Sequence, residues 1–437
     1  MVRLKTFILI IGDILILYLS LALTIIIRYG TRSLDSSWHN HLQPFSLIFL
    51  IWVLVFYLVD LYDIRAFKNE VGLAKGIGGA IILSATLSII LFYLFSNFFE
   101  LTPKTNLAIF SLIFGVFDFI WRTAVIKSNY ARTKLLVIGD SQITKEIVAY
   151  IKNNPQIGYE LGFWLSDVSA AFKRSELERL VREKKIDAII IPSHFIKGDL
   201  PIVKLIYELL SLKIKVMSST DFYETIFQKE PLEELEEGWF IEKITTRRNG
   251  YDFLKRLIDI ALSLTLGIIF LPIMILIAAL TKLSSREGPV FFKHRRTGSN
   301  GKTYTHYKFG IMRKDEGEFW TLPEDDRHTK LGKFLRYTHL DETPQLWNIL
   351  KGDLSFIGPR PERVELTEKY RELPHYEIRH IVKPGLTGWA QINYRPSASL
   401  EEAFEKLKYD IYYIKNRSFI LDFLIIIRTV RYLFSNR

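Results

Sequence analysis

The chain has 437 residues, 49% hydrophobic and 14% aromatic, with a formal net charge of +11. That length allows two or three domains, and the basic excess suits phosphorylated ligands, anionic lipid or nucleic acid. The absence of cysteine excludes a disulfide framework, a thiolate metal site and a cysteine nucleophile.

The hydrophobic residues are concentrated in runs too long for a soluble core. Phe7–Ile27, Pro44–Leu61, Ile77–Phe95 and Leu107–Ile126 each approach the ~20 apolar residues that a bilayer requires. No small-residue processing site follows the first, so it is expected to be retained. Arg3, Lys5, Arg65, Lys68, Lys75, Lys127, Arg132 and Lys134 fall on one side of these spans, and Arg28, Arg32 and Lys104 on the other. That imbalance places the N-terminus and everything after Lys127 in the cytoplasm. Beside membrane segments, nucleic acid becomes the weakest partner. Asp13, Asp60, Asp118 and Arg122 lie in or near the ends of the spans, where pairing or interfacial placement is expected rather than a transport pathway.

From Lys134 the pattern alternates. Strands are expected at Lys134–Gly139, Tyr159–Leu165, Ala188–Pro192 and Ile214–Met217, with helices at Ile143–Lys152, Ser175–Lys184 and Leu200–Leu212. This order argues for a parallel α/β sheet, Rossmann-like in outline. The first strand runs into Gly139, Asp140, Ser141 and Gln142 rather than G-x-G-x-x-G, so the glycines that let backbone approach a pyrophosphate are missing. A structural or regulatory module without a dinucleotide is expected. Gln228–Glu242 carries six glutamates and reads as a solvated linker. Trp239, Phe240 and Ile241 at its end are expected to pack against something, a second subunit being one option.

An apolar stretch from Ile260 to Leu280 is long enough for a fifth span. Its flanks are basic on both sides: Lys255 and Arg256 before, Lys282, Arg286, Lys293, Arg295 and Arg296 after. Both ends are therefore expected to face the cytoplasm. With Gly267 and Pro272 in mid-segment, the pattern predicts a helix, a break and a returning helix. Between Lys282 and Arg336 there are 13 Lys/Arg against 7 Asp/Glu. Such a basic segment with interleaved glycines suits a diphosphate. Asp341 and Glu342 precede Pro344, which places them at a helix N-terminus with Leu346, Trp347, Ile349 and Leu350 as the apolar stripe and Gly352 as the stop. Carboxylates and phosphates are both stabilised there, although simple capping explains two acids equally well. The prolines around Arg360 fix the local backbone and so aim its guanidinium. Phe419–Phe434 is apolar with Asp422, Arg428 and Arg431 on one side, which favours an amphipathic interfacial helix.

Several separated blocks resemble the bacterial sugar transferases, which move a sugar-1-phosphate from a nucleotide sugar to polyprenyl phosphate. They are Lys-Arg-x-x-Asp at 255–259, Gly288–Phe292, Lys308–Phe309, Asp326–Thr329, Arg336–Pro361, Lys383–Gln391 and Asp410–Asn416. The layout is similar to that of the longer members, the undecaprenyl-phosphate glucose and galactose phosphotransferases. The resemblance implies a membrane protein of α plus α/β class. Four transmembrane helices would occupy residues 1–130, a degenerate Rossmann-like domain 131–228 and an acidic linker 229–250. A mostly helical catalytic domain would follow at 251–437, with a re-entrant membrane helix at 255–281 carrying Lys255, Arg256, Asp259 and Pro272.

The resemblance also implies a chemistry. Asp341 would attack the β-phosphate of a UDP-sugar and release UMP, and Glu342 would hold Mg²⁺. Lys308, Arg336 and Arg360 would neutralise phosphates. Gln345, Arg379, Gln391 and Arg395 would contact substrate, with Asp410 as a second acid. Undecaprenyl phosphate and membrane lipid are the implied partners, at the cytoplasmic face of the bacterial inner membrane, in exopolysaccharide, capsule or O-antigen (lipopolysaccharide) synthesis. The chain departs from the family pattern at His294, where glutamine is usual, and at Gly310 and Ile311, where Arg-Ser is usual. The second departure removes one cation. The competing readings are a membrane-anchored nucleotide-sugar dehydratase or epimerase, which lacks its glycines here, and a non-enzymatic membrane sensor, which leaves the Asp-Glu-x-Pro-Gln run unexplained. A zinc enzyme is disfavoured, since the nine histidines show no His-Glu-x-x-His pattern.

Overall fold

The longest apolar runs form the longest helices. In the computed structural model α1 (Val2–Tyr29), α2 (Leu34–Leu58), α3 (Glu70–Leu94) and α4 (Lys104–Lys127) cover the four expected runs. Each is long and apolar enough to cross a membrane. The structure describes residues 2–59, 61–62, 70–94, 104–127, 132–166, 174–197, 201–210, 214–244, 248–284, 289–310, 330–394 and 399–434. It divides into two units, Met1–Phe222 and Tyr223–Arg437.

In the first unit the helices pack through aromatic residues: the Trp52 ring meets Phe110 and Phe114 edge-on, with centroids 5.0 and 5.3 Å apart. The charges carried by these apolar helices pair, as expected. Arg122 bonds Asp118 through Nε at 2.9 Å, Asp13 through Nη2, and the Leu61 carbonyl through Nη1 at 2.5 Å. Since Asp13 is on α1 and Leu61 follows α2, one guanidinium ties together three parts of the bundle. Asp60 lies outside the described residues.

The alternating segment forms β1 (Thr133–Ile138), α5 (Gln142–Asn153), β2 (Tyr159–Leu165), α6 (Arg174–Lys184), β3 (Ala188–Ile191), α7 (Pro201–Leu209) and β4 (Lys215–Ser218). All strand pairs are parallel, in the order β2–β1–β3–β4. The central β1 and β3 read as unbroken apolar runs because both sheet faces are covered. Gly139 ends β1 at φ +99°, and a Cβ there would meet the Pro192 ring at 2.7 Å.

The second unit begins earlier than expected, and α8 (Ser219–Phe227) runs across the division. The acidic stretch is not a solvated linker. Leu232, Leu235, Phe240 of α9 (Glu237–Lys243) and Ile244 are buried in one core with Tyr376, Trp389, Leu407 and Ile411. Its acids are answered by basic partners far along the chain: Glu230 lies 3.2 Å from Lys415, and Glu233 pairs with Lys408. Burial, with Glu224 beside it, pushes the Glu230 carboxyl up to about 8. Trp239 and Phe240 pack within this core, while Ile241 is exposed.

The apolar stretch differs from expectation too. α10 (Asn249–Ser284) is one 36-residue helix that continues through Gly267 and Pro272. A proline removes a single backbone bond, and in apolar surroundings the flanking amides have no better partners than their own helix. α10 also stays with its own unit along its length. Arg256 bonds the end of α12 (Gln345–Lys351), Leu266 packs on Leu346 and Ile349, and Ile277 packs on Phe309, Leu335 and Leu340. Asp259 accepts from the Phe356 amide at 3.2 Å, and Lys255 meets Asp422 at 2.7 Å.

The remaining elements are a hairpin of β5 (Phe291–Thr297) and β6 (Thr303–Phe309), then α11 (Lys330–Tyr337) and α12. After these come β7 (Ser355–Ile357), α13 (Val364–Tyr370), β8 (Gly385–Thr387), α14 (Trp389–Asn393), α15 (Leu400–Asn416) and α16 (Phe419–Phe434). α16 is amphipathic, as expected, and its outward face is the apolar one. Asp422 points inward, accepting from Tyr251 and Tyr413, while Ile420, Phe423, Ile426 and Val430 are exposed.

Candidate active site

Asp341 and Glu342 do not open an α-helix. They sit in a 3-10 turn, Leu340–Glu342, which follows His339 at φ +55° and precedes α12 by two residues. α12 ends at Gly352 (φ +90°), as its position requires. Leu346 and Ile349 form its buried stripe; Trp347, expected among them, is 59% exposed.

The hairpin supplies the opposing wall. In a β-strand alternate residues share a face, so Tyr304, His306 and Lys308 line up, and the register adds Phe292, His294 and Arg296. Lys308 Nζ reaches Glu342 at 2.5 Å and lies 4.0 Å from Asp341. Arg360 stands 3.9 Å from Glu342. Asn348, fully buried, fixes this alignment by donating to the Thr305 carbonyl at 2.7 Å and accepting from the Tyr307 amide at 3.2 Å.

The two acids are electrostatically unequal. Burial pushes the Asp341 carboxyl up to about 6; Lys308 opposes the rise and Glu342 adds to it. Burial alone would raise Glu342 as well, but Lys308 and Arg360 outweigh it and hold that carboxyl well below its ordinary value. Arg336 lies close enough to favour the Asp341 anion. His306 is kept neutral, first by burial and then by Arg296 and Lys308.

Other expected site residues fall elsewhere. Gln345 is buried beside the turn, and its amide nitrogen has no partner. Gln391 donates to the Leu386 carbonyl at 3.1 Å while its oxygen is buried without a partner. Arg379 and Asp410, expected as a substrate contact and a second acid, are buried against each other at 2.9 Å. Arg379 also donates to Tyr376 and, at 2.8 Å, to the Arg360 carbonyl, so the pair supports the Arg360 loop from behind. Glu362 completes that support with Lys406 at 2.5 Å. Arg395 and the Asp326–Thr329 block lie outside the described residues.

Residues 250–436 match the bacterial sugar transferase family. The UDP-glucose:undecaprenyl-phosphate glucose-1-phosphate transferase of Klebsiella pneumoniae is 33% identical over 324 residues, 71% of this chain and 69% of that protein. The chain belongs to the bacterial sugar transferase family. Among its other relatives is the UDP-N-acetylgalactosamine-undecaprenyl-phosphate N-acetylgalactosaminephosphotransferase of Aeromonas hydrophila, 41% identical over 185 residues, 41% of this chain and 44% of that protein. This chain therefore matches less than half the length of the Aeromonas relative. The exopolysaccharide production protein PSS of Rhizobium leguminosarum bv. phaseoli is 40% identical over 187 residues, 40% of this chain but 93% of that protein. That relative thus consists of little more than a counterpart of the part containing the acid turn.

Within this family the Gly310 departure has a steric reason. A Cβ at Gly310 would stand 2.5 Å from the Pro289 carbonyl oxygen, where the hairpin closes through the Gly310 amide. Any side chain at that point requires the backbone to move. Ile311 lies outside the described residues. His294 faces His306 across the hairpin and contacts the Phe292 ring. Three site residues, Arg296, Tyr304 and His306, are missed by reading motifs alone. Counting by twos back from Lys308 finds the latter two.

A magnesium ion fits this donor set in one form only. Among the described residues no group of three or more potential ligands converges. Two adjacent carboxylates offer hard oxygens, so a cation here would be held by Glu342, with Asp341 beside it, and would draw its other ligands from substrate phosphates and water.

Proposed function

We propose that this chain transfers a sugar-1-phosphate from a UDP-sugar to undecaprenyl phosphate, releasing UMP. The observation that carries the reading is the buried Asp341 beside a half-buried Glu342, opposed by Lys308 and Arg360 on a turn packed against an apolar helix. The names of the relatives support the substrate class.

A carboxylate oxygen of Asp341 attacks the sugar-bearing phosphorus. The bond from that phosphorus to the bridging oxygen breaks, and UMP leaves with the oxygen. The phosphosugar remains as an acyl phosphate on Asp341. An oxygen of undecaprenyl phosphate then attacks the same phosphorus, the acyl-oxygen–phosphorus bond breaks, and the lipid diphosphate sugar departs from a restored carboxylate. Lys308, Arg336 and Arg360 neutralise phosphate oxygens, and the Gln345 amide supplies a donor. Magnesium on Glu342 would supply further charge neutralisation.

α10 supports a catalytic unit lying on one membrane face. From Arg256 to Ile277 it runs about 32 Å, and residues at both ends and the middle touch the acid-turn elements. A helix crossing a bilayer could not keep such contacts with a unit on one side. In this reading α10 is held in one leaflet, the exposed apolar face of α16 rests beside it, α1–α4 span the inner membrane, and the acids face the cytoplasm where nucleotide sugars are made. The parallel sheet is a degenerate Rossmann-like module without a dinucleotide, and the reaction opens exopolysaccharide, capsule or O-antigen assembly.

The test is UMP release from a panel of UDP-sugars by membranes containing the chain and undecaprenyl phosphate. Asp341→Asn is expected to lower turnover on the order of a thousandfold; turnover within threefold of the unsubstituted protein is incompatible with a nucleophilic Asp341. Activity that survives EDTA would remove the cation from the scheme.

A further inference from the structure

Arg256 belongs to the start of α10, yet its guanidinium serves another helix. Nη1 donates to the Ile349 carbonyl at 2.5 Å and Nη2 to the Leu350 carbonyl at 2.6 Å. These carbonyls lie in the last turn of α12, where a helix leaves acceptors without partners of its own. α12 is a rod of seven residues that starts three residues after Glu342. Its far end is thus gripped by Arg256, its middle rests on Leu266, and Leu340 at the acid turn packs beside Met274, Ile277 and Ala278.

The donor side of the site also has polar ties that do not involve Arg256. Asn348 ties α12 to β6, Lys308 reaches Glu342, and Arg296 donates to the Pro361 carbonyl next to Arg360. α10 is also docked through Lys255–Asp422 and Asp259–Phe356, two contacts that do not involve Arg256.

We propose that Arg256 is a positioning residue for the lipid half of the reaction. By holding the end of α12 it sets the level of the acid turn along the apolar helix, and hence over the phosphate of the lipid acceptor. The nucleotide half depends on the hairpin and the Arg360 loop instead. This inference rests on the two-step reading above.

The two halves are separable in the full chain in membranes. Exchange of labelled UMP into UDP-glucose or UDP-N-acetylgalactosamine, whichever the unsubstituted protein turns over, reports the first step without lipid acceptor. Transfer to added undecaprenyl phosphate reports both steps. Arg256→Ala is expected to keep exchange within threefold while transfer falls at least tenfold, with the KM for undecaprenyl phosphate rising and that for the UDP-sugar unchanged. Arg256→Lys, which can reach one carbonyl, recovers part of the loss. Arg248 makes a similar two-carbonyl grip on Lys415 and Arg417, away from the acid turn; in Arg248→Ala any change affects exchange and transfer equally. Equal losses of exchange and transfer in Arg256→Ala, or no loss of transfer, overturn the proposal. Absence of exchange in the unsubstituted protein overturns the covalent reading itself, and this inference with it.

Discussion

Among the places where this chain sets a cation against two carboxylates, the helix bundle and the acid turn are built to opposite ends. In the helix bundle Arg122 bonds both Asp13 and Asp118, and all three side chains are at most 1% exposed. The Phe56 and Tyr62 rings close over the guanidinium, 5.4 and 5.2 Å from their centroids. At the acid turn Lys308 is bonded to Glu342 but stands off from Asp341, and Lys308 and Arg360 keep 21% and 38% of their side-chain surface. The first arrangement bonds both carboxylates to one cation and seals them, with only Asp13 Oδ1 of the three charged groups buried without a hydrogen-bond partner; the second leaves a carboxylate short of a partner and two cations facing outward. Burial alone does not identify a reactive group. Incomplete pairing at an accessible edge does.

That contrast can be broken from either side. Arg122→Leu strands Asp13 and Asp118 in an apolar wall and is expected to cost about 3–5 kcal/mol of stability. Thermal unfolding in detergent would show the loss, while turnover per folded molecule stays within threefold. Lys308→Met has the reverse profile: about a hundredfold loss of kcat, or about 2.7 kcal/mol, with a small change in unfolding temperature. Were Arg122→Leu to abolish turnover in a folded protein, the bundle cluster would have to be counted as part of the reaction.

A smaller effect concerns pH. In the proposed reaction only the Asp341 anion can attack, and its carboxyl is pushed up to about 6. Turnover is therefore expected to be about tenfold lower at pH 5 than on the plateau above pH 7; a rate flat to pH 4.5 would contradict it. The smallest effect is on stability. The folded protein holds this proton more tightly than the unfolded chain, so stability falls as pH rises from 3.8 to about 6 and the deficit persists above. Asp341→Asn lacks the deficit, so its apparent unfolding temperature is expected to exceed that of the unsubstituted protein at pH 7.5 by roughly 2 °C or more. No gain is expected below pH 3.8.

Local pattern carried much of this molecule. The parallel strands fall within one residue of their expected bounds because their burial is set by their own sequence; the four apolar helices overlap their expected runs but begin three to ten residues earlier. The acid turn was legible from Pro344 and Gly352, although the 3-10 geometry was not, since a proline permits either type of first turn. What escaped depends on distant partners. The glutamates of 230–237 look solvated until Lys408 and Lys415 arrive from α15, and the clue lay in Leu232, Leu235 and Phe240 between them. Arg379 and Asp410 carry the charges of a substrate site but spend them on each other and on the Arg360 carbonyl.

Behind Arg360 the main chain doubles against itself. A Cβ at Gly358, Gly385 or Gly388 would come within 2.4, 2.0 and 2.1 Å of backbone atoms of the facing segment. Had these collisions been with side chains, trimming a neighbour could make room. Because they are with the peptide itself, no compensating replacement exists, and this seam admits no gradual variation. Variation near this arginine must therefore fall on the walls around it and leave its mounting alone.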